Sequence, residues 1–130
     1  MRHIFALVLG LMPVTATATD CINLANLTET GRIDTAKCRD YRAETGTRGS
    51  ACQWTYDYRD ASAIDHARAL QTTITACHPG LTAPEDTLVN HPDSYELWEW
   101  ETETGTFAVS VKDKAALQKT LVFLRFERAP

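Results

Sequence analysis

The chain has 130 residues, 44% of them hydrophobic and 23% charged, with 13 Lys and Arg against 17 Asp and Glu for a net charge of −4. That length fits one domain and not two. Charges of both signs are interspersed, so the mild acidity disfavours nucleic acid or an anionic membrane as partner and reads as a solubility feature.

Met1-Arg2-His3 is a short positive start, and the apolar run Ile4 to Met12 follows it before Pro13. Ala16-Thr17-Ala18 then offers the small-x-small pattern of a signal peptidase site, so residues 1–18 are expected to be a cleaved export signal. Nine helical residues span only about 14 Å, roughly half a bilayer core, which is too short for a retained anchor. Cleavage after Ala18 leaves 112 residues with 12 basic and 17 acidic side chains. The expected location is periplasmic or secreted.

Residues 19–50 give the weakest pattern. Apolar residues at 22, 24, 25 and 27 fit a turn or two of helix or an irregular strand, and Gly31, Gly46 and Gly49 mark turns. Cys52, Trp54, Tyr56 and Tyr58 alternate with Gln53, Thr55 and Asp57, which predicts a half-buried strand. Asp60 is placed to cap a helix over 61–77, whose apolar stripe runs through Ala63, Ile64, Ala67, Leu70, Ile74 and Cys77 until His78-Pro79-Gly80 ends it. His66 lies off that stripe and is expected to face solvent. A long connection from Leu81 to Ser94 includes Thr87-Leu88-Val89 as a short edge strand. Strands at 95–102 and 106–112 meet across Glu103-Thr104-Gly105, and 120–127 forms the last strand after a turn at 113–119. The expected fold is α+β: an antiparallel sheet of about four strands, in β-α-β-β-β order, with one main helix on one face.

Cys21, Cys38, Cys52 and Cys77 are an even set, no two closer than fourteen positions, so paired zinc knuckles and a CxxC redox site are excluded and two disulfides are expected. A strand of about 20 Å followed by a helix returning about 24 Å brings the helix end to the strand start. This geometry favours Cys52–Cys77, with Cys21–Cys38 by subtraction, and leaves the other two pairings open.

Candidate chemistry is sparse. Asn90, His91 and Asp93 put an amide, an imidazole and a carboxylate on the longest connection, where binding groups concentrate, but Asn-His-Pro-Asp reads first as turn chemistry, since no partner groups are evident. Glu99 and Glu101 share a strand face about 7 Å apart, a separation some glycosidases use, but Glu alternating with Trp98 and Trp100 is the ordinary pattern of a one-sided strand. Ser50, Ser62, Ser94 and Ser110 lack a nucleophile context, and the 45–50 loop lacks the lysine of a phosphate loop. His78 suits a helix C-terminus. No metal or cofactor is expected.

Leu121-Val122-Phe123-Leu124 is apolar on both faces, and Tyr95 and Leu97 point opposite to Trp98 and Trp100. One helix covers one face, so the other needs cover. The 19–50 segment is the favoured cover, with a protein partner or a second copy as the alternative. These features favour a non-enzymatic exported protein that binds a macromolecule, as an inhibitor or accessory factor. The alternative is a small hydrolase or a metal- or ligand-binding protein working through His91 and Asp93, with a carboxylate from Glu99 or Glu101.

Overall fold

A computed structural model describes residues 18–81 and 95–130, and the backbone of 87–89. The proposed signal segment up to residue 17 and the candidate trio Asn90, His91 and Asp93 lie outside the described residues.

Strand β2 (Arg48–Asp57) and strand β6 (Lys119–Arg128) form the spine: they pair over nine residues, and along β6 fully buried side chains alternate with less buried ones. Around them are helix α1 (Ala18–Thr30), strand β1 (Lys37–Arg42), helix α2 (Ala61–Cys77), and strands β3 (Thr87–Val89), β4 (Tyr95–Glu101) and β5 (Gly105–Lys114). The strands make one antiparallel sheet ordered β1-β2-β6-β5-β4-β3. The class is α+β as expected, but among the described residues there are six strands rather than about four, and two α-helices rather than one main helix. The 19–50 segment is not irregular: it forms α1, β1 and the hairpin into β2.

Asp60 caps α2 by accepting a hydrogen bond from the Ser62 amide at 2.9 Å, and the His78 amide closes the far end on the Ile74 carbonyl at 3.1 Å. The α2 stripe buries Ala63, Ala67 and Ile74, and the two alanines let the helix axis approach the sheet closely. Beneath it lie Phe107, Val109 and Val111 of β5 with Val122, Leu124 and Phe126 of β6, flanked by Trp98 and Trp100. Leu24 and Leu27 of α1 enter the same cluster, so both helices occupy one face of the sheet.

Both disulfides exist, but with a pairing other than the favoured one. Cys21 bonds Cys77, joining α1 to the last residue of α2. Cys38 bonds Cys52, which stands directly opposite it in the β1–β2 register. The favoured pairing failed because β1 was not recognised and a helix over 22–27 was only one of two readings there, and α1 and β1 carry the thiols that pair with Cys77 and Cys52.

Among the described residues no helix is long and apolar enough to cross a membrane.

Candidate interaction surfaces

The register shows which side chains the helices leave uncovered. On β6, Val122, Leu124 and Phe126 face α2, while Leu121, Phe123, Arg125 and Glu127 face away. Their cross-strand neighbours are Thr55, Gln53, Ala51 and Gly49 on β2 and Lys112, Ser110, Ala108 and Thr106 on β5. Tyr95, Leu97, Glu99 and Glu101 continue these rows on β4, and Arg39 and Tyr41 do so on β1. The result is a broad face whose one end is apolar, around Leu121 and Phe123, and whose other end is charged, around Arg125, Glu99 and Arg39. Arg125 donates to Glu99 at 3.3 Å, so one of the two carboxylates suggested for acid-base work is held by an arginine. Among the described residues, no element packs on this face. The expected cover does not form there, because α1 joins α2 on the opposite side.

Tyr41 lies flat across Gly49 on this face. A Cβ at Gly49 would run into the ring and stand 2.6 Å from the hydroxyl oxygen, so the absence of a side chain there is what lets the ring settle. The Tyr41 hydroxyl is buried and has no hydrogen-bond partner among the described residues. Burial raises its pKa.

The helix-bearing side holds two further features. His66 is half-buried rather than solvent-facing: its Nδ1 is 2.7 Å from the Tyr56 hydroxyl, and its ring meets Trp54 edge-on at 4.6 Å between centroids. Burial lowers the His66 pKa from the usual 6.5 and raises that of Tyr56. The phenol therefore keeps its proton at neutral pH and can donate to an unprotonated Nδ1. His78 packs its ring on Phe107 at 5.2 Å, a contact the helix-end reading did not anticipate.

The second feature is a cleft of about 490 Å³ where the end of α1 meets the β1–β2 hairpin. Its lining includes Leu27, Asp40, Arg42, Arg48, Phe126 and Arg128. Gly31 ends α1 in the left-handed region at φ +72, and a side chain there would strike Ser50 and Asp40. Arg32 donates to the Gly31 carbonyl at 2.8 Å and to Asp40 at 3.1 Å. Hydrogen bonds from Arg32 and Ser50, with the Arg32 charge, hold the Asp40 carboxyl below its ordinary pKa.

Among the described residues, no group of three or more His, Cys, Asp or Glu is arranged to hold a metal ion. No known protein family matches the chain in sequence, and no curated protein is similar to it.

Proposed function

We propose that the chain is exported by its first eighteen residues and works outside the cytoplasm as a non-catalytic binding protein, engaging a protein partner through the open sheet face. Two disulfides support the compartment, because thiols couple stably in oxidising surroundings. The observation that carries the binding role is the uncovered face itself, with half-buried Leu121 and Phe123 beside a charged row of Arg39, Arg125 and Glu99. A broad face of aromatic, aliphatic and arginine side chains suits a protein surface better than a small ligand, which favours concave sites. The partner's contacting surface is apolar opposite Phe123 and acidic opposite Arg39.

Site-specific photocrosslinking tests this in the native host. A photoreactive residue at Phe123 or Gln53 is expected to form an adduct with another protein, whereas one at Arg68, exposed on α2, forms none. Equal adducts at all three positions, or none at Phe123 and Gln53, would overturn the reading. An adduct with twice the chain's own mass would replace the heterologous partner with a second copy.

A further inference from the structure

Three arginines that are far apart in sequence are brought into one row by strand register. Arg42 on β1 stands directly opposite Arg48 on β2. The β2–β6 register pairs Gly49 with Glu127, and its continuation by one residue sets Arg48 beside Arg128. The parity of the strands puts all three on the helix-bearing side, in line with Cys52 and Phe126, where they border the 490 Å³ cleft. With adjacent strands about 4.8 Å apart, the row spans roughly 10 Å at the backbone.

Like charges directly opposite each other on a sheet are destabilising. Here three stand side by side, and no carboxylate among the described residues lies within ion-pair distance of any of them. Among the described residues, the Arg42 guanidinium donates only to the Gly46 carbonyl, at 3.3 Å. Of the acidic residues lining the cleft, Asp40 is already held by Arg32, and Glu29 makes no ion pair among the described residues. The partial negative charge at the end of α1 is also met by Arg32, through the Gly31 carbonyl. The Arg48 charge also acts on Asp40, but Arg42, Arg48 and Arg128 form no ion pair among the described residues, in a chain whose overall charge is −4.

We propose that this cleft is a binding site for a small organic polyanion, a compound carrying two or more carboxylate or phosphate groups on a short carbon frame. The guanidinium fork matches both oxyanions in bidentate geometry. Leu27 and Phe126, 1% and 4% exposed, supply an apolar floor for the carbon frame. The volume lies within the range of organic ligand sites and exceeds what a single inorganic anion fills. A long polyanion is disfavoured because the rest of the surface is acidic. The site is on the opposite side of the sheet from the open face, so the two proposals stand or fall separately.

The test is calorimetric titration of the disulfide-bonded chain at low ionic strength with citrate, fructose 1,6-bisphosphate, inorganic phosphate and acetate. Citrate or the bisphosphate is expected to saturate one site, and whichever binds more tightly identifies the preferred oxyanion. Acetate shows no saturable binding, and phosphate binds more weakly than either organic probe. Arg48→Gln and Arg128→Gln each weaken binding by about tenfold or more, as expected for loss of one charge-assisted contact. Because each removes a like-charge neighbour, neither lowers the melting temperature of the unliganded chain. Failure of both organic probes to bind, binding unchanged in the two variants, or a lowered melting temperature in both would overturn the proposal.

Discussion

Thr120 is a hydroxyl placed in the interior, 1% exposed, where an unpaired polar group would be costly. It is fully used. It donates to Asp113 at 2.7 Å and accepts from the Arg59 amide at 2.8 Å, while Arg59 Nε reaches the other Asp113 oxygen at 3.5 Å. This cluster pins the β2–α2 turn, where Arg59 adopts φ +57, onto the β5–β6 pair. Thr120→Val keeps the shape but removes both bonds, and a denaturant titration should find it about 1–3 kcal/mol less stable. Thr120→Ser should lose much less. His66 makes a second residue-scale prediction, through pH. Its folded pKa lies below the 6.5 of the unfolded chain, so between those values the unfolded state binds more protons. Stability is full above about pH 6.5 and falls as pH drops through the folded value. Melting temperatures measured between pH 5 and 7.5 should show that decline, and His66→Gln should flatten it. The sequence put His66 off the apolar stripe and so expected it in solvent, which its contacts overturn. What a helical wheel could not show is that this flank of α2 rests on Trp54 and Tyr56 of β2.

At the scale of elements, the disulfides divide the work unequally. Cys38–Cys52 closes a separation of 14 residues within one hairpin, whereas Cys21–Cys77 spans 56 and is the covalent tie between the two helices. Loop-closure entropy assigns the longer bridge about 4 kcal/mol and the shorter about 3 kcal/mol. Replacing Cys21 and Cys77 with Ser should therefore lower stability by about 4 kcal/mol. Hydrogen exchange should show protection lost first over α1, which buries only Leu24 and Leu27, and retained in β5 and β6. The elements that were legible in the sequence are those whose side chains alternate or recur cleanly: β2, α2 with its Asp60 cap, the β4–β5 hairpin and β6. The elements read only weakly, as α1 was, or missed, as β1 was, have physical reasons. Ile22 of α1 is 60% exposed, so the helix lacks the apolar stripe that announces one. β1 reads Lys-Cys-Arg-Asp-Tyr-Arg and has almost no apolar alternation, because it lies at the sheet edge beside a covalent staple.

For the whole molecule, the sequence implied a second apolar sheet face and favoured 19–50 as its cover; among the described residues both helices lie on the other face instead. Trp98 and Trp100 are buried beneath the helices, and Tyr95 and Leu97 point the other way, as their alternation required. It did not show that α1 and α2 would share a face, since that depends on which thiols meet. The candidate loop at Asn90, His91 and Asp93 was chosen for local chemistry and lies outside the described residues. The arginine row had no signal along the chain at all: positions 42, 48 and 128 have no motif spacing, and only the register of three strands makes them neighbours.

The placement of β1 at one margin of the sheet also governs how the molecule meets others. An outermost strand offers unpaired backbone amides and carbonyls on which a foreign strand can grow. Here that margin carries Lys37, Arg39, Asp40 and Arg42 within six residues and is stitched to its inner neighbour through sulfur. Charged side chains at such close intervals penalise lateral addition. At this margin, the molecule thus resists sideways growth while a wide, partly greasy plane beside it stays open to its surroundings.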